Sequence, residues 1–147
     1  MISDAQTLVS NAQAVTATAV STNTIDLGVA RDLGASDLKF VVTVDESFAT
    51  ATSVAIEVIS AAAADLSSPT VLSSTGALLI AQLVAGRRPI IIDVPRHVLT
   101  AQPVGQRYLG LRYTVAGSNA TAGKVTASLV LDAQDIAKNY TSGYSIV

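Results

Sequence analysis

Apolar and polar residues alternate with a period of two along much of the chain, most clearly in residues 106–134. Because a β-strand sends successive side chains to opposite faces, this region predicts two strands, each with one buried face. Gly117 and Gly123 bracket the polar loop between them, which predicts a β-hairpin with a loop longer than two residues. The predicted inward-facing residues are Leu109, Leu111, Tyr113 and Val115, then Val125, Ala127, Leu129 and Leu131.

The same alternation recurs earlier in the chain. The segments LKFVVTVD (38–45) and SVAIEVIS (53–60) predict half-buried strands. The run Ile90–Ile92 between Pro89 and Pro95 predicts a short strand buried on both faces, and residues 14–28 predict an extended segment that ends at Gly28. Short strands separated by Gly- and Pro-rich turns favour a β-sandwich, jelly roll or barrel.

Two segments do not follow this pattern clearly. Residues 59–69, ISAAAADLSSP, contain four consecutive alanines that favour helix, but Asp65, the serines and Pro69 keep any helix short. Residues 75–86, TGALLIAQLVAG, fit a helical turn and a strand about equally, and we favour the extended form. Gln82 lies in this apolar run and needs a hydrogen-bond partner if it is buried.

The composition suggests a covered surface. Only 14% of the 147 residues are charged, against roughly 25% in average proteins, and mean hydropathy is +0.49. The exposed positions are therefore expected to be Ser, Thr and Ala, which is typical of a surface covered by other subunits or of a stable Ser/Thr-coated sandwich.

We predict an N-terminal arm at 1–14, one β-sandwich domain at 15–136 and a C-terminal tail at 137–147.

Charge and cysteine content exclude several functional classes. The net charge is −2, so no basic field attracts nucleic acid. The chain has no cysteine, which excludes a disulfide scaffold and thiolate metal or redox sites. No signal-peptide pattern opens the chain, and its longest apolar stretch is roughly half of a membrane span. We therefore expect a soluble protein made in the cytoplasm, with no membrane partner.

No motif predicts catalysis, a cofactor or a metal site. The single histidine, His97, has no nucleophile or carboxylate beside it, and the acids are scattered along the sequence. AGSNATAGK departs from the phosphate-loop spacing and is followed by a strand. A pair of carboxylates that meet only in the fold, as in glycosidases, stays open, although the chain has no Trp and few aromatic rings. We predict that the protein is not an enzyme.

Arginines and the two termini are the candidates for binding. Arg87 and Arg88 are the only adjacent basic residues, and arginine suits protein interfaces because its planar fork binds carboxylates; Arg107 and Arg112 are weaker candidates. The termini carry apolar residues that dock onto partners or sheet edges in other proteins. The predicted interface residues are Ile2, Leu8, Val9, Arg87, Arg88, Tyr140, Tyr144 and Ile146.

Four stretches resemble a known family. DAQTLVSNAQAVTATAVSTNTIDLG near the N-terminus, AQLVAG at 81–86, RYLGLRYTVAG at 107–117 and TAGKVTASLVLDAQ at 121–134 are similar to the capsid cement, or decoration, proteins of tailed bacteriophages, of the Bordetella-phage type. The resemblance covers nearly the whole chain but is weakest at residues 31–75 and 87–104.

The resemblance implies a fold, a location and partners. It implies a jelly-roll-like antiparallel β-sandwich with extended N- and C-terminal arms, which forms a homodimer or homotrimer. Such a protein clamps neighbouring major capsid protein subunits on the outer capsid surface of the virion and stabilises the expanded shell. The family has no catalytic residues. Two alternatives remain: a tail or spike module that binds a receptor or glycan, and a glycan hydrolase built on a jelly roll.

Overall fold

The computed structural model describes residues 4–29, 37–95 and 106–131, which are nearly all β-structure. They contain no α-helix, only two 3-10 turns at Ala5–Thr7 and Ile80–Gln82. The strands are β1 (Leu8–Ala14), β2 (Ala19–Val20), β3 (Ile25–Asp26), β4 (Lys39–Ala49), β5 (Ser53–Ala61), β6 (Thr70–Leu79), β7 (Ile90–Asp93), β8 (Tyr108–Ala116) and β9 (Ala122–Val130).

Two antiparallel sheets pack face to face. The first has the strand order β1-β9-β4-β7, and the second has the order β2-β8-β5-β6, with β3 also paired to β8. β2 and β3 both pair with β8, one after the other: Ala19 lies opposite Tyr113, and Ile25 lies opposite Leu109. They can therefore be counted as one interrupted strand. Apart from the β5–β6 hairpin, which stays in the second sheet, the chain alternates between the sheets in the manner of an eight-stranded jelly roll. The predicted all-β sandwich is confirmed.

The core lies between the sheets and uses the predicted faces. Both sheets contribute to one buried cluster, to which β4 gives Phe40, Val42 and Val44, β5 gives Val54, Ile56 and Val58, β8 gives Leu109, Leu111 and Tyr113, and β9 gives Val125 and Ala127. Val115 and Leu129 pack at its margin. Leu131 is the exception, because β9 ends at Val130 and the leucine is 65% exposed.

The predicted hairpin of β8 and β9 is wrong, although both strands are present. β8 lies in the second sheet beside β5, and β9 lies in the first sheet between β1 and β4. The intervening loop crosses from one sheet to the other, so the two strands face each other across the core. Alternation specifies which side of a strand is buried, but not which strand lies beside it.

The prediction of a doubly buried strand at residues 90–92 is also wrong. Among the described strands, β7 pairs only with β4 and stands at the end of the first sheet. Ile92 is 5% exposed and points into the core, whereas Ile91 is 40% exposed. Proline has no N–H to give to a sheet, so Pro89 and Pro95 restrict the strand between them to a short edge position.

The structure moves the predicted domain boundary toward the N-terminus. Residues 8–14 form strand β1 of the sandwich and not part of an arm. The sequence pattern hides this strand because its pairing with β9 shifts register between Leu8 and Ser10 and again between Ser10 and Gln13. Such bulges interrupt the two-residue period. The predicted C-terminal tail, 137–147, lies outside the described residues.

The two ambiguous segments also take definite forms. Residues 62–69 form a turn after β5, which ends at Ala61. In residues 75–86 the strand β6 continues to Leu79 and a 3-10 turn follows, so the segment is extended in its first half only. Gln82 is exposed, and its Oε1 accepts a hydrogen bond from the backbone N–H of Leu79 at 3.2 Å.

Candidate interaction surface

Four loops, all within the described residues, meet at one end of the sandwich. They connect β1 to β2, β4 to β5, β6 to β7 and β8 to β9. Backbone hydrogen bonds join them: Ala120 N–H donates to Thr16 O at 2.8 Å, and Ile80 N–H donates to Thr52 O at 3.4 Å. We call residues 15–18, 50–52, 79–89 and 117–121 the loop end. Neighbours here come from distant parts of the chain.

The loop end is almost uncharged. Its only charged residues are Arg87 and Arg88, and the chain has no Asp or Glu from residue 66 to residue 92. The other residues are mainly Ala, Thr, Ser, Gly and aliphatic side chains. Leu79 is 55% exposed and Val84 is 45% exposed. The surface therefore combines exposed apolar groups with one arginine pair.

The longest of these loops, between β6 and β7, is fixed to the sandwich at several points. Leu83 is 1% exposed and belongs to the core. Its carbonyl accepts a hydrogen bond from Phe48 N–H at 3.0 Å, and Ser47 Oγ accepts one from Ala85 N–H at 2.9 Å. These contacts hold the backbone in place while Leu79 and Val84 on either side of Leu83 point outward.

The two arginines of this loop differ in their surroundings. The guanidinium of Arg87 donates to the backbone carbonyls of Gln82 and Arg88, so it braces the loop and is only partly exposed. Arg88 is exposed, and its guanidinium has no ion-pair partner within residues 4–29, 37–95 and 106–131. Within the described part of the chain, the side-chain donors of Arg88 are therefore not used.

Arg107 and Arg112 are committed to carboxylates of their own chain. Arg107 contacts both carboxylate oxygens of Asp26 at 2.6 Å, and these hydrogen bonds hold the pKa of Asp26 below its ordinary value. Arg112 lies 2.6 Å from Glu57 Oε2, and this hydrogen bond lowers the pKa of Glu57. Thr114 donates to the same oxygen at 2.9 Å. Both arginines therefore hold strands of the second sheet together.

A shallow groove of about 750 Å³ lies at the opposite end of the sandwich, between the start of β1, the β2–β3 connection and the turn after β5. Its polar groups are largely used by the protein itself. Ser21 Oγ donates to Asn23 O at 2.9 Å, and Asn23 Nδ2 donates to Leu8 O at 3.2 Å. No aromatic ring is among the lining residues, so the groove lacks the stacking platform that sugars commonly use.

The described residues contain no group of three or more His, Cys, Asp or Glu side chains that could hold a metal ion. His97 lies outside this part of the chain. In the same described part, no helix has the length and apolar character needed to cross a membrane.

A family model, Bbp16, matches residues 9–129. The match runs from the second residue of β1 to the second-last residue of β9 and covers well over half of the chain. The chain belongs to the Bbp16 family. Bbp stands for Bordetella phage protein, so the Bbp16 family is a phage protein family. A search of curated proteins found no match.

The Bbp16 match contains three of the predicted interface residues. Arg87 and Arg88 lie on the loop end, inside the matched region. Val9 is the first matched residue, but it is fully buried in the core, so its side chain is not available to a partner. Leu8, just before the match, is half-buried opposite Ser128 on the outer face of the first sheet. Ile2, Tyr140, Tyr144 and Ile146 lie outside both the Bbp16 match and the described residues.

Sequence reasoning selected the arginine pair but not the rest of the loop end. In the sequence, Leu79 and Val84 are part of an apolar run, and the other three loops are separate turns. The absence of acidic residues from 66 to 92 is a signal that the sequence does contain. That these loops meet in space is visible only in the fold of this Bbp16 family member.

Proposed function

We propose that this protein is a structural virion component: a capsid cement, or decoration, protein that binds the outside of an icosahedral phage head. It contacts neighbouring major capsid protein subunits and stabilises the expanded shell. The observation that carries this proposal is the match of nearly the whole sandwich to a phage protein family. A jelly roll with an exposed loop end that carries few charged groups suits a binding role.

The stabilisation follows from differential binding. A protein that binds the assembled shell and not the free subunits shifts the equilibrium toward the shell by mass action. Modest contacts repeated by the symmetry of the shell add up to high avidity. We propose that the protein also associates with itself, as a homodimer or homotrimer placed on a local symmetry axis. Neither nucleic acid nor membrane is required as a partner.

We further propose that the protein is not an enzyme and uses no cofactor. Several of its described acids are held in internal contacts that support strand pairing. Glu46 pairs with Lys124 at 2.8 Å, and Asp45 accepts a hydrogen bond from Thr126 at 2.6 Å. Asp26 and Glu57 pair with arginines, as described above. Carboxylates used in this way support the pairing of the strands, which is a structural role.

The decisive experiment is cosedimentation of the purified protein with bare phage heads, before and after expansion, with bound copies counted per shell. We expect saturation on expanded heads at a number related to the symmetry of the shell. A protein that stays monomeric at micromolar concentration and does not bind expanded heads would contradict the proposal. The search for a partner would then move to the tail and its receptor.

A further inference from the structure

We propose that the loop end is the surface that docks onto the capsid, and that its partner there is a protein surface carrying carboxylates beside apolar groups. This inference rests on the proposed cement function. The juxtaposition that carries it is the exposed Arg88, beside the braced Arg87, with the outward-facing Leu79 and Val84 on the same anchored loop.

Charge distribution distinguishes this surface from the rest of the described molecule. Elsewhere, four described acids are paired with bases: Asp26 with Arg107, Glu57 with Arg112, Glu46 with Lys124 and Asp93 with Lys39. The loop end has two cations and no acid. No acid within the loop end balances this charge, which favours a partner that supplies carboxylates, since arginine binds them with two parallel hydrogen bonds.

The remaining surface of the loop end can be covered at low cost. Burying charged groups without partners is expensive, whereas Ala and Thr side chains lose little when water is removed. The exposed parts of Leu79 and Val84 would contribute about 25 cal/mol for each Å² of apolar surface buried. Charged residues are depleted and arginine is enriched in the centres of protein interfaces, as on this surface.

The anchoring of the loop also favours binding. A flexible loop loses conformational entropy when a partner orders it, and this loss weakens the complex. Here Leu83 is buried in the core, and the backbone bonds to Phe48 and Ser47 already fix the loop. The arginine and aliphatic side chains are therefore presented on a backbone that needs little further ordering.

Other partners fit this surface less well. Two loop ends packed against each other about a twofold axis would bring arginine pairs of like charge together. The nearest acids along β4, Asp45 and Glu46, already bind Thr126 and Lys124. Nucleic acid would require more than two cations on a protein of net charge −2. A carboxylate-bearing protein surface other than the loop end itself remains the best match.

The test compares Arg88→Gln with a matched control, Ala63→Glu, in binding to expanded heads. Both variants lower the net charge by one unit, but Ala63 is exposed in the turn after β5, at the opposite end of the sandwich. We expect Arg88→Gln to weaken binding about tenfold, the change produced by losing about 1.4 kcal/mol, and Ala63→Glu to bind like the wild type. Arg88→Lys should bind with intermediate strength, because it keeps the charge but loses the planar fork.

A second variant tests the apolar part of the surface. Leu79→Ser with Val84→Ser changes two half-exposed side chains, so we expect a small fall in the thermal unfolding temperature but at least fivefold weaker binding at a temperature where the variant is folded, as for residues central to an interface. Wild-type binding by both this variant and Arg88→Gln would overturn the docking surface while the cement function stands. Equal weakening by Ala63→Glu would also overturn it, since the effect would then depend on net charge alone. Failure of the wild type to bind heads would overturn both proposals.

Discussion

At the scale of single residues, a buried chain of hydrogen bonds around Tyr113 joins the two sheets. The Tyr113 side chain is fully buried, and its hydroxyl lies 2.8 Å from Ser10 Oγ. The single hydroxyl proton of Ser10 goes to Gln13 Oε1 at 2.7 Å, so Tyr113 is the donor to Ser10. Gln13 Nε2 then donates to Val20 O at 2.8 Å. This chain fixes β1 of the first sheet to β2 and β8 of the second.

Ser10→Ala should destabilise the protein, because it leaves the Tyr113 hydroxyl buried without a partner. We expect a loss of about 1–3 kcal/mol in the free energy of unfolding, measured by urea denaturation. Adding Tyr113→Phe removes the unpaired hydroxyl, so the double variant should be more stable than Ser10→Ala alone. A double variant less stable than Ser10→Ala would show that the hydroxyl is satisfied in another way.

Tyr113 should also make the fold sensitive to alkali. Burial raises the pKa of Tyr113 from its ordinary value of 10.0 to about 12. The folded protein therefore keeps a proton that the unfolded chain releases above about pH 10. Stability is complete below that pH and should fall by up to about 1.4 kcal/mol per pH unit between about pH 10 and about pH 12. Urea midpoints measured across this range should fall less steeply for Tyr113→Phe, the control that lacks the ionisable group.

At the scale of elements, the turn after β5 packs onto the outer face of the second sheet through Leu66. Leu66 is 1% exposed and forms a small second cluster with Ile59 and Ala61. It lies directly over Gly110 of β8, where an added Cβ would stand 2.5 Å from Leu66 Cδ1 and 2.9 Å from Ser21 Oγ. The glycine therefore makes room for the turn.

Gly110→Ala should destabilise the protein by about 1–3 kcal/mol, because the new methyl group overlaps with Leu66. Leu66→Ala also destabilises the protein, but it makes room for the new methyl group. The loss of unfolding free energy in the double variant should therefore be smaller than the sum of the losses in the two single variants. Thermal unfolding of the three variants and the wild type measures this coupling. Additive losses would mean that the turn moves away and that the contact does not constrain β8.

The edge strands are built in ways that discourage the addition of further strands. β1 contains two register shifts, and β6 has two more in its pairing with β5. β7 is only four residues long, and the β2–β3 edge is interrupted. Bulged, short or broken edges are poor templates for pairing with another chain. We therefore expect partners of this protein to contact loops and faces more than sheet edges.

At the scale of the whole molecule, the proposed function makes shell stability depend on protein concentration. The shells of expanded heads should disassemble at a higher temperature as protein is added. Each site contributes about 2.7 kcal/mol when the free protein exceeds its Kd a hundredfold. Light scattering of heated heads measures the transition. Arg88→Gln should need a higher concentration for the same shift, whereas Ala63→Glu should match the wild type. A transition that does not respond to added wild-type protein would contradict stabilisation by binding.

The alternation of apolar and polar residues is enough to predict the fold class and the buried face of most strands. In β4, Phe40, Val42 and Val44 all lie in the core as the alternation predicts. The reason is that a shift of one residue would turn Phe40, Val42 and Val44 away from the core and leave only Val41 of these four facing it, so burial fixes this choice. The arginine pair and the low overall charge could likewise be read directly from the sequence.

Which strands and loops are neighbours can be seen only in the folded protein. β8 and β9 are adjacent in sequence yet lie in opposite sheets, and β1 becomes visible only through its bulged pairing with β9. Arg112 is neutralised by Glu57 across a strand pair, whereas no such partner meets Arg88 in the described chain. These outcomes depend on contacts between residues far apart in sequence. A local pattern specifies burial, but it does not specify the partner.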